Sequence, residues 1–170
     1  QISSLISKLR KRSNKGSYYL IQQDLQVGLS ECLGIWICEG QDVEQLSAIG
    51  THLQSLMPRL WIGLGLFHDG QDLHKTASAL TLSTALKLPI VAVNDVHTHC
   101  PDRQGLQNIV TAIRLKTDIH SLGYRGFCNA ERTLRSITTL QQLYPDEMLA
   151  QTMVIADLCQ FDMDELRYEY

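Results

Sequence analysis

The sequence predicts an α/β domain built on parallel strands, and three observations favour this class. Apolar runs at Leu33 to Cys38, Leu60 to Leu66 and Ile90 to Val93 are each separated by a long segment with helical periodicity. The last run is apolar throughout, which is typical of a strand buried on both faces of a parallel sheet. Because parallel strands need long crossover connections, this alternation indicates βα units. A chain of 170 residues with 44% apolar residues is long enough for a single domain with one core.

Six segments have apolar residues at helical spacing, and they predict helices over 2–12, 43–56, 72–87, 103–116, 136–144 and 146–159. Asp42 is a candidate N-cap for the second helix, and Pro58 prevents its continuation. On the apolar face of the second helix we expect Leu46, Ile49, Leu53 and Leu56. On that of the third we expect Leu73, Ala77, Leu80 and Thr84. On that of the fourth we expect Leu106, Ile109, Val110 and Ile113.

The remaining segments carry weaker signals. Tyr18 to Ile21 fits a short strand. Glu39-Gly40 bounds the strand Leu33 to Cys38, and 117–131 fits a long irregular loop. Asn129 is interpreted as a helix cap with Glu131 as an acid in the first turn. The glycines at 63 and 65 are costly inside a strand, and they indicate close approach of a neighbouring backbone or the lack of a side-chain role there.

Charge and cysteine content limit the functional class. The net charge of -3 provides no general attraction to nucleic acid, and the basic cluster Lys8, Arg10, Lys11, Arg12 and Lys15 fits a solvated helix face or, alternatively, a phosphate contact. Five scattered cysteines without a CxxC pair argue against a disulfide framework and for a reducing compartment. No apolar run is long enough for a membrane span and no signal peptide is visible, so we expect a cytoplasmic protein without membrane contact.

The polar residues after the third strand form the main candidate site. Asp95, His97 and His99 are spaced two apart, so they would share one face if the extended conformation continued. A carboxylate and two imidazoles suit a metal ion, although hydrogen bonding within a polar loop explains the same residues. His68 and Asp69, at the end of the second strand, could contribute or could form an ordinary polar turn. No nucleophile motif, P-loop or GxGxxG is present.

Several motifs, in order, resemble one known family. The series looks like the polymerase-and-histidinol-phosphatase (PHP) domain of bacterial error-prone DNA polymerases, C-family enzymes similar to the DNA polymerase III alpha subunit. The matching segments are Lys15-Gly-Ser-Tyr-Tyr-Leu20, Asp24-Leu25, Arg59 to Ile62, Asn94-Asp-Val-His97-Thr-His99, Arg103 to Gln107, Thr111 to Arg114, Gly123-Tyr124, Asn129 to Ser136, Tyr144-Pro145, Ile155-Ala156, Cys159 to Phe161, and Asp164 to Tyr170.

The resemblance implies that residues 1–170 are a single domain, the larger C-terminal part of a distorted (β/α) barrel of the PHP type. We expect the first barrel strands and the palm, fingers and thumb to lie outside this sequence. The parent protein would be a DNA polymerase, that is, a nucleotidyltransferase. Its role in DNA replication and DNA repair would be translesion synthesis after DNA damage. Its Mg²⁺-dependent polymerase site would lie in the absent part.

The metal motif of the family is only partly matched. Asp95 and His97 match the last Asp-x-His ligand pair of PHP domains, and His99 matches a histidine common in the error-prone branch. The resemblance therefore implies an incomplete Zn or Mn site at these positions. An earlier Glu and His pair of the family corresponds here to Gly65 and Phe67, with His68 one residue out of register.

Two functions follow from this resemblance. The first is a mainly structural, partner-docking domain of a polymerase that acts on DNA with other damage-tolerance or replication proteins. The alternative is a metal-dependent phosphoesterase, a proofreading nuclease or pyrophosphatase, that uses Asp95 and His97 to hold the metal. Gly65 and Phe67 favour the first. A small stand-alone hydrolase is a third interpretation, against which the missing first strand argues. We expect the fragment to be inactive and to self-associate through an unpaired edge and exposed apolar surface.

Overall fold

The computed structural model describes residues 1–27, 29–38 and 42–162. The predicted boundary at 39–40 and the family match at 164–170 lie outside these residues. The helices and strands are α1 (Ile2–Arg12), a 3₁₀ helix at Gln22–Val27, β1 (Leu33–Ile37), α2 (Val43–Leu56), β2 (Arg59–Leu64), α3 (Asp72–Leu86), β3 (Ile90–Ala92), a 3₁₀ helix at Pro101–Arg103, α4 (Gln104–Leu115), 3₁₀ helices at Ile119–Ser121 and Gly123–Arg125, α5 (Ile137–Leu143) and α6 (Asp146–Leu158).

The three described strands form one parallel sheet in the order β1-β2-β3. Ile35 of β1 pairs with Trp61 of β2, and Ile62 of β2 pairs with Ile90 of β3. The helices α2 and α3 connect successive strands, so the predicted α/β class and its βα alternation are confirmed. Every residue of the central strand β2 after Arg59 is buried, which explains why this stretch is apolar on both faces.

The core lies between the sheet and the helices α2, α3, α5 and α6. Ile62 of β2 and Leu82 of α3 are fully buried at its centre. Tyr144, between α5 and α6, also belongs to this cluster and brings the C-terminal helices onto the sheet. The other buried members are Leu46, Leu60, Leu64, Ala79, Leu88 and Ile90.

Local sequence signals set the ends of the crossover helices. The side chain of Asp42 accepts hydrogen bonds from the backbone N–H groups of Glu44 (2.9 Å) and Gln45 (3.3 Å), so it caps α2 as predicted. The helix ends at Leu56, two residues before Pro58. α3 ends at Leu86, and its C-cap residue Lys87 has a left-handed backbone with φ of 55°.

The predicted inward face of α3 is wrong. The buried residues are Ala79 and Leu82, whereas Leu73 is almost fully exposed. The helix carries Ala, Leu and Thr on all sides, so its hydrophobic pattern does not select a face, and close packing against β2 and β3 selects the side with small Ala79. In α2 the predicted face is only partly correct, since Leu46 is buried and Ile49 is half exposed. The other misassigned residues of α3 are Ala77, Leu80 and Thr84.

The N-terminal segment is held by a buried carboxylate. Asp24 forms ion pairs with Lys8 (3.0 Å) and Arg12 on α1, and its side chain is only 2% exposed. It also accepts a hydrogen bond from the N–H of Ile21 at 2.9 Å, which fixes the turn into the 3₁₀ helix. The short strand predicted at Tyr18 to Ile21 is therefore wrong: the segment pairs with no described strand and docks on α1 through side chains.

The helix α4 has an apolar face that the described residues leave uncovered. Its four predicted apolar residues do share one side, but each is between 47% and 71% exposed. The residues that α4 buries are Thr111 and Ala112. This exposed stripe consists of Leu106, Ile109, Val110 and Ile113.

Two further observations concern the helices and the cysteines. None of the helices in the described ranges combines the length and the apolar character that crossing a membrane requires. All five cysteines are free thiols, as their irregular spacing predicts. Burial raises the pKa of the Cys38 thiol, so this cysteine is a poor nucleophile.

Candidate functional site

A cavity of about 470 Å³ opens at the carboxyl ends of the parallel strands. This is the end of the sheet at which α/β folds place their ligand sites. Most of its wall is apolar or glycine, and the charged groups are two cations and one carboxylate. The residues on which the chemistry of the cavity depends are Gly63, Gly65, Phe67, Lys75, Asp95 and Arg132.

Backbone pairing places residue 132 beside residue 95. The segment after β3 is joined to a distant segment by a parallel bridge between Thr98 and Thr133. The N–H of His97 donates to the carbonyl of Arg132 at 2.8 Å, and the side-chain amide of Asn94 donates to the carbonyl of Thr133 at 2.6 Å. These bonds hold the two segments side by side, although they are far apart in sequence.

Asp95 departs from the conformation that the sequence analysis assumed. Its φ of 38° lies in the left-handed region, so the strand does not continue and residues 95, 97 and 99 do not alternate regularly. The Asp95 carboxylate forms an ion pair with the Arg132 guanidinium, and its other oxygen lies 3.4 Å from Nε2 of His97. The carboxylate therefore already has a permanent cationic partner within the chain.

The guanidinium of Arg132 is also held between two aromatic rings. Its central carbon lies 4.0 Å from the ring centroid of Phe67 and 4.6 Å from that of Phe127. The ring of Phe127 in turn packs on the ring of His97, with centroids 4.6 Å apart. Contact with two rings suits arginine better than lysine, since the guanidinium is flat and weakly hydrated. Asp95, Arg132, Phe67, Phe127 and His97 are called the Arg132 cluster below.

Gly65 and Phe67 fit each other as a pair. A Cβ atom at position 65 would lie 2.7 Å from Cε2 and 2.8 Å from Cζ of Phe67, closer than any side chain tolerates. The ring of Phe67 therefore occupies the space in which a side chain at position 65 would begin. The sequence predicts either a neighbouring backbone close to the strand glycines or the lack of a side-chain role there. At Gly65, the close neighbour is instead the ring of Phe67.

Three polar side chains tie the strand ends together. The Tyr144 hydroxyl accepts from the N–H of Leu66 (2.9 Å) and donates to the carbonyl of Val93 (3.2 Å), which bridges the chain beyond β2 and β3. Burial raises the pKa of Tyr144, so it stays a neutral donor. The Asn129 amide donates to the carbonyls of Phe67 (2.7 Å) and His68 (3.2 Å), and Asp72 accepts from the N–H groups of both residues.

The roles predicted for Asn129 and Glu131 are wrong. Asn129 accepts from the N–H of Glu131 at 3.1 Å in a local turn, and no helix begins there. The cap of α5 is Ser136, which accepts from the N–H of Thr139 at 3.1 Å. Glu131 instead forms an ion pair with Arg135 at 2.9 Å, and the side chain of Arg135 is buried. The polar residues between loop and helix therefore stabilise the site rather than a helix terminus.

The side chains do not fit a metal ion in this arrangement. Among residues 1–27, 29–38 and 42–162, no three His, Cys, Asp or Glu side chains lie close enough together to hold one. Asp95 and His97 are adjacent, but Asp95 is bound by arginine and Nδ1 of His97 lies 3.4 Å from the Gln107 amide. His99 is exposed.

The second pair of candidates is engaged elsewhere. The His68 ring lies 3.5 Å from Glu131, and its backbone has a left-handed φ of 49°. Asp69 accepts from the ammonium group of Lys75 at 2.7 Å, and this hydrogen bond lowers the pKa of the carboxyl. Lys75 and Arg132, the cations at the cavity, are thus each neutralised by an aspartate of the same chain.

Three residues of the site had no functional role in the sequence analysis: Arg132, Phe127 and Tyr144. Arg132 and Tyr144 occurred only within motifs of the resemblance. Arg132 and Tyr144 act through contacts across more than thirty residues of sequence. Phe127 contacts Arg132 nearby in sequence and the ring of His97 on the distant segment. Local periodicity contains no signal for such long-range contacts.

The chain is similar over its whole length to a segment of proteins named error-prone DNA polymerase. It is 39% identical over 170 residues to the one from Pseudomonas paraeruginosa, with 100% of this chain and 16% of the relative covered. The identity is 41% over 172 residues with the one from Methylococcus capsulatus (100% and 16% covered) and 41% over 175 residues with the one from Dechloromonas aromatica (99% and 17% covered). None of the known family models matches the chain.

Proposed function

We propose that this chain is a structural, PHP-type segment of a bacterial error-prone DNA polymerase and that nucleotidyl transfer takes place in another part of a longer polypeptide. The similarity supports this, because it covers the whole chain but only 16–17% of relatives with that name. The parallel βα order is compatible with part of a distorted barrel. We place the parent protein in the cytoplasm, where the five free thiols of this chain stay reduced.

The single observation that carries the structural role is the placement of the Arg132 guanidinium, which pairs with Asp95 and contacts the rings of Phe67 and Phe127. Asp95 is the carboxylate of the family's Asp-x-His pair, and here it is bound by a guanidinium that is also stacked on Phe67. Arginine stays charged at all relevant pH values and needs no ligand uptake. In our proposal the guanidinium of Arg132 therefore cross-links the strand ends, where a metal ion would do so in a catalytic relative.

A domain closed in this way can act as a rigid support for docking. The hydrogen bonds of Tyr144, Asn129 and Asp72 hold the loops on the sheet, while the apolar side of α4 stays uncovered. An apolar helix face that a domain leaves exposed is characteristic of interaction surfaces. We propose that the exposed stripe of α4 docks other parts of the polymerase or its damage-tolerance partners.

A comparison of the chain with the longer polypeptide tests this function. We expect the longer polypeptide to extend a primer on a DNA template with Mg²⁺. We expect the 170-residue chain neither to extend a primer nor to hydrolyse a phosphodiester with Mn²⁺ or Zn²⁺. Arg132→Ala in the longer protein should lower its thermal stability more than its initial rate of synthesis. Hydrolysis of a phosphodiester by the chain, lost on Asp95→Asn, would instead support the phosphoesterase.

The exposed stripe also predicts the behaviour of the isolated chain. Ile35 and Ile37 are half exposed on β1, an edge strand of the described sheet, and the α4 stripe adds further apolar surface. We expect self-association at high concentration, measured by light scattering after gel filtration. Ile109→Lys with Ile113→Lys should reduce it, whereas the control pair Gln45→Lys with Ala48→Lys on α2 should not. Monomeric elution of the unaltered chain at all concentrations would contradict this expectation.

A further inference from the structure

The end of α1 and the turn after it form a basic and aromatic surface on an otherwise acidic chain. The first twenty residues contain five of the fifteen Lys and Arg residues and none of the eighteen Asp and Glu residues. The whole chain nevertheless has a net charge of -3. The positive charge is thus concentrated at one place, which decides where an anionic polymer would bind.

Only part of this charge is used inside the protein. Lys8 and Arg12 share the single carboxylate of Asp24 as an ion-pair partner, and these pairs hold the following turn on α1. In the described ranges Lys11 and Lys15 are exposed and have no acidic partner. Arg10 has no acidic partner there either, since its guanidinium donates to the Tyr18 hydroxyl at 2.6 and 2.9 Å. Three cations therefore remain for an external ligand.

Two tyrosines stand beside these cations with their rings open to solvent. Tyr18 is 54% exposed and Tyr19 is 64% exposed, although aromatic rings usually bury most of their area. The guanidinium carbon of Arg10 lies 5.3 Å from the ring centroid of Tyr18, and that of Arg12 lies 5.7 Å from the ring centroid of Tyr19. Each ring is thus contacted by one arginine on one part of its surface and is otherwise largely open to solvent.

The shape of the surface favours a passing strand over an enclosed small molecule. Between the end of α1 and Tyr18 lies a shallow cleft of about 260 Å³, lined by Arg10, Lys15 and the turn between them. Pockets for drug-sized ligands are usually larger, roughly 300–1,000 Å³, and more enclosed. Gly16, with a left-handed φ of 89°, turns the chain so that Lys15 and Tyr18 flank this cleft.

We infer that this surface binds single-stranded nucleic acid, with phosphates on Arg10, Lys11 and Lys15 and bases stacked on Tyr18 and Tyr19. Cations that follow a backbone beside aromatic stacking platforms are the usual means of binding a single strand without sequence preference. Paired bases would not expose their faces to the rings, so a duplex fits less well. This inference rests on the proposed function, which supplies the reason for a single DNA strand near the domain.

Fluorescence anisotropy of a labelled (dT)₂₀ strand with the 170-residue chain tests the inference. Three phosphate contacts predict that the logarithm of the binding constant falls with the logarithm of salt concentration with a slope of about -2. Lys11→Glu with Lys15→Glu should weaken binding at least ~tenfold and bring the slope toward zero. Tyr18→Leu should weaken it about tenfold and leave the slope unchanged, because stacking carries no charge.

The control is Arg114→Glu with Lys116→Glu at the end of α4, which reverses the same charge at an equivalent place on a helix. We expect this pair to bind (dT)₂₀ as the unaltered chain does. Equal weakening by both pairs, or no binding by the unaltered chain at about 50 mM salt, would overturn the inference. Binding to vesicles with anionic lipid but not to (dT)₂₀ would also overturn it, since α1 would then be a membrane-surface helix.

Primer extension by the longer polypeptide separates this inference from the proposed function. If synthesis is observed but (dT)₂₀ does not bind the 170-residue chain, only the inference fails. If (dT)₂₀ binds through Lys11 and Lys15 but the longer polypeptide makes no DNA, only the proposed function fails.

Discussion

Two aspartates in this chain are each paired with an arginine, and the pairs differ in which partner is buried. The side chain of Asp24 is 2% exposed while that of its partner Arg12 is 31% exposed. The side chain of Asp95 is 58% exposed while that of Arg132 is 22% exposed. In the first pair the carboxylate is the organising group, and in the second pair it is the guanidinium.

The difference shows that the presence of an ion pair does not by itself tell which of the two side chains stabilises the local structure. Asp24 collects Lys8, Arg12 and the N–H of Ile21, so it is a structural anchor for the turn after α1. Asp95 has fewer partners, whereas Arg132 collects Asp95, Phe67 and Phe127. The position that the sequence marks as the metal ligand is thus the less important member of its own ion pair.

Arg132→Ala should have the largest effect. It removes two cation–π contacts and leaves a gap between Phe67 and Phe127, while loss of the exposed ion pair adds little. We expect a loss of about 2–3 kcal/mol in the free energy of unfolding, or roughly 5–10 °C in melting temperature. Arg132→Lys should give an intermediate value, because it keeps the charge but not the flat stacking surface. A melting temperature unchanged in Arg132→Ala would refute the importance of the Arg132 cluster.

Asp24→Asn should have the second largest effect and a distinct pH dependence. The hydrogen bond from Arg12, then that from the N–H of Ile21, and further Lys8 hold the pKa of Asp24 well below its usual range. A lowered pKa in the folded state means that the stabilisation is complete above the unfolded pKa of about 3.9 and is lost as pH falls below it. Thermal melts from pH 7 to 3 should therefore show the difference between the two proteins narrowing below about pH 4. A constant difference would contradict this assignment.

Asp95→Asn should have the smallest effect. The pair is exposed on the carboxylate side, so its loss should cost less than about 1 kcal/mol. Asparagine tolerates the left-handed backbone of residue 95 as aspartate does, so no strain is added. Asp95→Ala should be worse than Asp95→Asn, because alanine is disfavoured at this φ. Chemical denaturation of the three proteins measures this order, and a larger loss for Asp95→Asn than for Arg132→Ala would reverse the comparison.

The sequence was sufficient for the elements with local signals. Val43–Leu56 begins after the Asp42 cap and ends before Pro58, and the three apolar runs became the three described strands. The sequence was insufficient where packing chooses between similar sides. Leu73 and Leu80 of α3 are as apolar as Leu82, yet only Leu82 is buried, because the contact with the sheet selects one side of a uniformly apolar helix.

A cavity lies at the end of the sheet that the βα order indicated, but its charged residues pair differently from the prediction. The carboxyl end of the strands follows from the βα order, and Gly65 and Phe67 pointed to a departure from the family's metal motif. The contact of Arg132 with Asp95 depends on the bridge between Thr98 and Thr133, which pairs segments far apart in sequence. The left-handed turn at Asp95 broke the assumed alternation, and aspartate tolerates that turn without a glycine to mark it.

The metal content of the longer polypeptide tests the central claim most directly. The protein and its Asp95→Ala and Asp95→Asn variants would be purified from cells supplied with Zn and Mn and analysed by mass spectrometry of the elements. We predict no stoichiometric metal attributable to Asp95 and a melting temperature that a chelator does not change. Stoichiometric Zn or Mn in the unaltered protein, lost in both Asp95 variants, would contradict the account and restore the phosphoesterase.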